Sequence, residues 1–486
     1  MNDSRRWIAL VAVALATFMT YLDNNVVNVA LPSIQRDLGL TISGLEWIVS
    51  GYILVFAGLL LVGGRLADVF GVRRTLLLGL AVFTLSSLAA GLAGSQEALI
   101  AARAVQGVGA ALLAPASLAV IVAMFPDPRE RGTAVGIWGG VGALALAVGP
   151  FTGGVLSERL DWGWIFLINV PIGVVTAALA VPSVRGVPGG RGGSWRRLDP
   201  AGLATSSAAL FALTFALIEG ESRGWTSGVI LGAFAGAALM AALFVVAERR
   251  AADPMIDLSL ARHRVFAGGL LAMGLWAFGV FGIYFFTALY LQNSLGFSPT
   301  EAGAAFVPMA LVMAVVAAVS ARISARFGAA ATVAAGLGLM AVAVAAISTV
   351  GAGDGYLDLL PWFLVYGLGA GLLLPLTDVV LAVLPAARAG VASGMLNVSR
   401  EVFGLLGITV LGAILSSRQT AYERDGRPPL PAFLEAYQVT LLVAAAIVAV
   451  GVPLSLYALR GVRAAGPGAD TGEPAGEERV PVAAAP

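Results

Sequence analysis

The sequence predicts an all-α polytopic membrane protein of fourteen transmembrane helices, grouped six, two and six, with both termini in the cytoplasm. Three observations carry that expectation: the composition, the lengths of the apolar runs, and the placement of arginine. Hydrophobic residues are 59% of the 486 and charged residues 12%, roughly half of the charged share of about 25% usual in soluble domains. The mean hydropathy is +0.90. A core surrounded by water cannot absorb that much apolar sequence, whereas a bilayer can.

Apolar runs bounded by charge, Gly or Pro fall at 8–31, 45–66, 75–95, 98–124, 133–157, 163–182, 200–219, 227–247, 265–292, 301–321, 328–350, 359–384, 391–416 and 436–459. Each approaches the length of about 20 residues that a bilayer requires. Each must be helical, because hydrocarbon offers no partner to backbone N–H and C=O groups. With the N-terminus inside, 21 arginines lie in predicted cytoplasmic segments and 6 in outer ones, and Arg103 and Arg400 fall inside spans. That bias places both termini in the cytoplasm. Arg5 and Arg6 precede an apolar run as in a secretory signal. The run continues past Asp23 with no small-x-small cleavage pattern, so it reads as a retained span.

Four regions follow: an N-terminal six-helix part over 1–182, a linker with two extra spans over 183–264, a C-terminal six-helix part over 265–460, and a disordered cytoplasmic tail over 461–486. A faint internal repeat supports two similar halves. GRLADVFGVRR at 64–74 follows the second run, and ARISARFG at 321–328 follows the tenth, with arginine, an aliphatic residue, Phe and Gly at matching offsets. Asp68 of the first copy aligns with Ala325 of the second. Repeated halves with a site between them are a transporter architecture.

Several function classes are excluded. The net charge of +1 gives no nucleic-acid signal. Cysteine is absent, so no disulfide or thiolate metal site exists, and His263 is the only histidine. Every basic residue is arginine, so a Walker loop, which needs lysine, is absent, and with it an ATP-driven pump within this chain. A membrane enzyme would need a nucleophile with a base, or a metal cluster, and neither is evident. No cofactor is expected.

Asp23 stands out, because a carboxylate in a span is expensive and faces a cavity or a partner. Fifteen residues from Ile8, at about 1.5 Å each, put it roughly 22 Å from the inner edge. Arg103, five residues into a span running the other way, lies about 8 Å below the outer edge. The depths allow an ion pair, which is either a static brace or a working proton site. Desolvation raises a carboxyl pKa and a nearby arginine lowers it, so a group under both can change protonation as a site switches from wet to dry. Asn24 and Asn28 share a helix face with Asn25 beside them. They either bind substrate polar groups or bond neighbouring helices. In the C-terminal part, Asp378, Arg400 and Glu401 lie within spans. Asp378 and Arg400 are at similar depths and are expected to pair, with Asp378 either serving a cationic substrate or only balancing the arginine. Glu219 and Glu221 are expected to be solvated. Trp138, Phe278, Phe281, Tyr284, Phe285 and Tyr290 either line an aromatic cavity or pack.

Seven stretches together resemble the fourteen-span drug:proton antiporters of the major facilitator superfamily, the EmrB/QacA-like group. They are LDNNVVNVALP (22–32), GRLADVFGVRR (64–74), LIAARAVQGVGAALLAP (99–115), GPFTGG (149–154), WIFLINVPIG (164–173), LYLQNSLGFSPTEAG (289–303) and AGVASGMLNVSREVFG (389–404). The resemblance covers about 7–460. It implies the major facilitator fold and proton-driven export of hydrophobic or amphipathic drugs across the cytoplasmic membrane by alternating access. The partners it implies are a hydrophobic small molecule, protons and the bilayer, with no obligate protein partner. It associates Arg103 with proton coupling and Asp23 with substrate and proton; Asn24, Asn28 and Gln106 are candidates beside them. It makes Gly64, Asp68, Gly71, Arg73 and Arg74 a cytoplasmic gate loop that latches the two halves in the outward-facing state; from its place at the end of the second span, Asp68 is expected to meet the N-terminus of the thirteenth span in that state. It makes Gly149, Pro150, Gly153 and Gly154 an antiporter motif. There the sequence departs from the pattern, with Ala145 where a glycine is usual. The alternative is a major-facilitator importer or exporter of one specific metabolite; an importer would lack the proline-glycine motif.

Overall fold

The computed structural model describes residues 3–185, 199–251, 254, 260–351, 353–373, 376–382 and 389–461. The expected tail and most of the linker at 186–198 lie outside them. The regular elements among the described residues are helices. The first group comprises α1 (Asp3–Leu38), α2 (Ile42–Phe70), α3 (Val72–Gly91), α4 (Gln96–Met124), α5 (Pro128–Arg159), α6 (Trp164–Leu167) and α7 (Asn169–Ser183). The pair α8 (Pro200–Arg223) and α9 (Gly228–Arg250) comes next. The second group comprises α10 (Arg264–Asn293), α11 (Pro299–Ala305), α12 (Val307–Phe327), α13 (Ala329–Ile347), α14 (Tyr356–Gly371), α15 (Leu376–Ala382), α16 (Ala389–Arg424) and α17 (Pro429–Ala458).

Thirteen stretches among the described residues are long and apolar enough to cross a membrane. The run expected at 359–384 is not one of them: it is divided into α14 and α15, with turn residues at Leu372 and Leu373 between. Pro375 falls in that gap, and proline has no N–H to continue the ladder. The runs at 163–182 and 301–321 are also broken, as α6–α7 and α11–α12. Pro171 and Pro308 follow those two breaks by two or three residues, for the same reason.

Consecutive spans run in opposite directions. The end where α1 begins is called here the near side and the opposite end the far side. Four of the helix starts on the far side carry side-chain caps. The Thr41 hydroxyl accepts from the Gly44 N–H, that of Ser95 from Ala98, and that of Ser227 from Ile230. Ser298 and Glu301 form a reciprocal capping box on α11. On the near side the internal repeat has a physical counterpart. Gly71 after Phe70 has φ 94° and ψ 138°, and Gly328 after Phe327 has φ 88° and ψ 148°. Both turns need a residue without a Cβ, which is why Phe-Gly recurs at matching offsets.

The two groups meet along the far side. Gly154 of α5 lies against the Pro299 carbonyl, and Gly303 of α11 lies against the Pro150 carbonyl, each too close to admit a Cβ. The Thr300 N–H donates to Glu158 at 2.9 Å, and Gln292 Nε2 donates to the Val29 carbonyl at 2.7 Å. Within the first group, Gly149 fits over Asn25 and Gly153 over the Val26 backbone. The Pro-Gly motif of α5 thus packs on α1 and on α11 together. The pair α8–α9 sits outside, with α8 against both α2 and α16. Trp47 Nε1 of α2 donates to Glu219 at 3.0 Å, and Trp225 Nε1 donates to Ser417 of α16 at 3.1 Å. Glu219 is therefore engaged and partly buried, which corrects the expectation that it is solvated. Tryptophan and carboxylate meet where the chain leaves the apolar layer.

Because the α5–α11 approach leaves no room for a side chain, a chain carrying Gly303→Leu is expected to lose the far-side seal. Disulfide formation reads this out, since the chain contains no cysteine. Gly154→Cys with Thr300→Cys is expected to crosslink rapidly under mild oxidation. Adding Gly303→Leu is expected to slow that crosslink at least about tenfold, the factor that follows from about 1.4 kcal/mol of overpacking strain. Gel mobility after cleavage at a protease site inserted in the 186–198 segment measures it.

Candidate functional site

Two polar features lie one behind the other in the bundle: a sealed cluster within the first helix group, and an open cavity between the groups. The sealed cluster is built around Asp23 of α1. Arg103 Nη1 of α4 donates to Asp23 Oδ2 at 2.5 Å. Gln106 Nε2, one turn further along α4, donates to Asp23 Oδ1 at 2.7 Å, and Asn169 Nδ2 from the start of α7 donates to the same oxygen at 2.8 Å. Arg103 also donates to Gln106 Oε1 at 2.7 Å and to the Ile48 carbonyl at 3.2 Å. Gln106 donates to Ser87 Oγ at 2.8 Å. The guanidinium stands 4.4 Å from the Tyr52 ring centroid and 5.5 Å from that of Phe166. Asp23, Arg103, Gln106 and Asn169 are each 0% exposed.

Spacing explains the assembly. Arg103 and Gln106 are three apart on α4 and so share a face. Asn169 is the first residue of α7, immediately after the break at Ile168, where the chain turns inward. Small residues allow the helices to come close: Gly107 of α4 lies against the Tyr52 carbonyl at 2.6 Å to a notional Cβ. The carboxylate meets a charge-assisted set of three donors, which a low-dielectric interior makes strong.

The cavity lies on the other face of α1. Its volume is about 670 Å³. Thr17, Tyr21 and Asn24 of α1, Phe56 of α2, Trp138 of α5, and Asn397, Arg400 and Glu401 of α16 are among its walls. It reaches toward the near side, where it is lined by Gly64 and Arg65 in the last two turns of α2, Val122 and Ala123 at the end of α4, and Ser393 and Gly394 in the second turn of α16. A smaller recess of about 60 Å³ continues toward the far side, past Asn25, Asn28, Trp276, Phe281 and Tyr284. It stops below the α5–α11 seal. Between the two spaces, Arg400 Nη1 donates to the Tyr21 hydroxyl at 3.0 Å, bridging the helix groups, and its Nη2 donates to Glu401 at 2.6 Å. Glu401 is 1% exposed, and its Oε2 has no hydrogen-bond partner, nor have Asn28 Oδ1, Trp138 Nε1 and Trp276 Nε1.

The sequence-derived residues separate accordingly. Asp23, Arg103 and Gln106 converge on one cluster. Asn24 and Asn28 face the cavity and recess instead, so the polar run of α1 serves two faces. Among the described side chains Arg400 meets Glu401 and Tyr21; the Asp378 side chain, and with it the expected Asp378–Arg400 pair, lies outside the described residues. Of the expected gate loop, Gly64 lines the near-side part of the cavity and Gly71 makes the turn. Arg73 Nη2 reaches the Val181 carbonyl at 3.5 Å, and Arg74 is exposed. The side chains of Asp68 and of residues 389–392 lie outside the described residues, and with them the expected latch. Gly149, Pro150, Gly153 and Gly154 lie in the far-side seam, with Ala145 of the same helix fully buried. Of the aromatic set, Trp138, Phe281 and Tyr284 reach the cavity or recess. Phe278, Phe285 and Tyr290 are packed instead, Tyr290 stacked on Tyr437 at 4.9 Å.

Sequence reasoning missed Asn169, Ser87 and Tyr21 as partners, and it missed Glu46 of α2, a carboxylate 2% exposed. The signal for Glu46 was available: like Asp23 it is an acid within an apolar run, here near the start of the run at 45–66.

The match to known proteins follows the same lines. Residues 13–408 fit the family model described as Major Facilitator Superfamily. The chain is 38% identical over 429 residues to a puromycin resistance protein of Streptomyces alboniger, covering 87% of this chain and 84% of that one. It is 37% identical over 415 residues to a tetracenomycin C resistance and export protein of Streptomyces glaucescens, covering 85% and 77%. Multidrug resistance protein Stp of Mycobacterium tuberculosis is 36% identical over 421 residues, with 84% and 76% covered. A bacterial homolog of the human lysosomal transporter Spinster, solved inward-facing and unoccupied, has a TM-score of 0.68 at 17% identity, covering 95% of this chain and 98% of that one. A peptide transporter in complex with sulfate has a TM-score of 0.67, also at 17% identity, with 93% and 96% covered. The helical bundle and its membrane-crossing helices agree with these matches: the chain belongs to the Major Facilitator Superfamily, as a multi-pass transporter of the cell membrane alongside antibiotic resistance and export proteins.

Proposed function

We propose that this protein exports a hydrophobic or amphipathic antibiotic-like compound in exchange for protons. The observation that carries the reading is the single-sided cavity. It is open at the near side, closed at the far side, and mostly apolar with a few orphan polar atoms. Such walls suit an aromatic compound bearing a few hydrogen-bonding groups. The names of the relatives, covering puromycin, tetracenomycin C and multidrug resistance, support the drug class. In this reading the near side is the cytoplasm, both termini lie there, and α14–α15 is the twelfth span, completing fourteen. Residues 1–182 and 265–460 rock as two halves, with 183–264 between them. Energy comes from the proton gradient, and no cofactor takes part.

Asp23 is the proton carrier in this scheme. Here it is held by Arg103, Gln106 and Asn169 and cut off from the cavity, the arrangement of a carboxylate that has already given up its proton. Opening the far side moves α1 with the α5 motif packed on it. The cluster then loosens and takes a proton from outside. Arg400, Glu401 and Tyr21 are the substrate-facing counterpart. Filling the cavity competes for these groups and so reports occupancy to α1 and α16 together.

Drug and dye uptake into inverted vesicles under an imposed pH gradient tests the whole reading. Gradient-dependent accumulation of several aromatic compounds is expected. Uptake of one polar metabolite alone would replace it with the specific-metabolite alternative.

The Asp23→Asn chain is expected to lose gradient-driven uptake. It also leaves Arg103 without a counter-charge, and breaking a buried pair this way costs about 3–5 kcal/mol. Its melting temperature in detergent is therefore expected to fall. Asp23→Asn with Arg103→Gln removes both charges, so it is expected to regain most of that stability without regaining uptake. A double variant that pumps would leave the cluster a structural brace only. Arg103→Lys is a second check. Lysine keeps the charge but loses the planar fork shared among Asp23, Gln106 and Ile48, so uptake is expected to drop at least about tenfold.

A further inference from the structure

Glu46 belongs neither to the Asp23 cluster nor to the cavity. It lies in the far half of α2, one turn after the Thr41 cap, where α2 packs against α16. It is 2% exposed and its Oε2 has no hydrogen-bond partner. The carboxyl head sits directly over Gly412 of α16, in the space where any Cβ at that position would lie. Ser50, one turn along the same face of α2, is also fully buried with an unpartnered hydroxyl.

We infer that Glu46 is a second proton-binding site, one that takes a proton from the far-side water when α2 closes on α16 and returns it to the same side on opening. An ionised carboxylate in hydrocarbon needs a cation or several donors, and without them it costs several kcal/mol. Among the described residues, no cation lies within ion-pair distance of Glu46. The charged group of α8 that acts on it is Glu219, a like charge, held by Trp47 and Arg223. From α16 the facing residue is Gly412, with Arg418 exposed nearer the far end. From α4, Gln96 packs on Gly44 and Glu97 is exposed. The charged residues at the far end of α1 are engaged elsewhere: Arg36 with Pro32 and Ser33, and Asp37 with Trp162. Closure on Gly412 is thus compatible with the neutral acid and opposed by the anion.

The consequence differs from that of Asp23. Glu46 lines neither the cavity nor its recess, so its proton has no exit to the near side. It is not counted in the exchange. It makes far-side closure, the step that returns the carrier to the drug-collecting state, depend on a proton being available outside. The inference rests on the two-sided opening of the proposed transport cycle but not on which compound is carried.

The test measures distance rather than transport, so it fails separately from the drug assay. Nitroxides on Arg36→Cys and Arg418→Cys report the separation of the far ends of α1 and α16 in lipid nanodiscs. Raising the pH from about 6 to about 9 is expected to convert short distances to long ones in the parent chain. One linked proton changes the closed-to-open ratio by up to about tenfold per pH unit. Glu46→Gln mimics the neutral acid. At pH about 9 it is expected to stay closed, with a ratio at least about tenfold above the parent. A ratio within twofold of the parent, or a parent distance that never lengthens, overturns the inference. Gly412→Ala gives an independent arm. It is expected to hold the far side open, and Glu46→Ala in the same chain to restore closure. A Gly412→Ala chain that closes as the parent does would equally overturn it.

Discussion

The ion pair of Asp23 with Arg103 is the constraint around which the first helix group is arranged. Nothing in hydrocarbon can satisfy a carboxylate or a guanidinium except other parts of the chain. Arg103 therefore draws on α1, α2 and α4 at once, through Asp23, the Ile48 carbonyl and Gln106, with the Tyr52 ring beneath it. Asn169 adds the first residue of α7. Five helices, counting α3 through Ser87, are fixed in register by one buried network. A single-partner pair would hold two helices and leave the rest to apolar packing, which in lipid has little directional preference.

The second constraint is proximity. The far-side seam is made largely of glycines that meet carbonyls, and weak contacts spread over a long seam are of the kind that the proposed cycle could break and remake. The chain thus separates two tasks. Permanent attachment uses buried charge and amide donors inside one helix group. Reversible attachment between groups uses Gly154, Gly303, Gly412 and a few neutral hydrogen bonds such as Gln292 to Val29. The Arg400–Tyr21 bond also joins the groups, and it lies at the cavity, where a ligand can replace it.

Much of this was legible in the sequence, for physical reasons. Backbone satisfaction in a bilayer forces long apolar runs into helices, so thirteen of the runs could be read directly. A lone acid and a lone arginine at matching depth in antiparallel spans pointed to each other, and the Phe-Gly repeat marked two equivalent turns. What could not be read was which face of a helix looks where. Asp23 and Asn24 are neighbours in sequence, but at 3.6 residues per turn they leave α1 in different directions, one into the sealed network and one into the cavity. For Arg400, the adjacent Glu401 and the distant Tyr21 are partners that depth alone did not suggest. The break between α14 and α15 was hidden inside an unbroken apolar run, with only Pro375 to signal it.

The pair α8–α9 gains a role from where its polar ends attach. Inside the bilayer it is largely surrounded by lipid: Phe211, Leu239 and Leu243 are exposed. At the far side, however, α8 is tied to α2 through Trp47 and Glu219, and the loop after it is tied to α16 through Trp225 and Ser417. The helices that carry Glu46 and Gly412 are therefore the same two that the extra pair spans. An element bonded to both sides of a seam limits how far the seam can open and keeps Glu219 beside Glu46 as it does. A wide opening would have to release one tryptophan bond, worth about 1 kcal/mol net, or slightly more for a charged acceptor. That is enough to bias the travel of two helices and too little to prevent it.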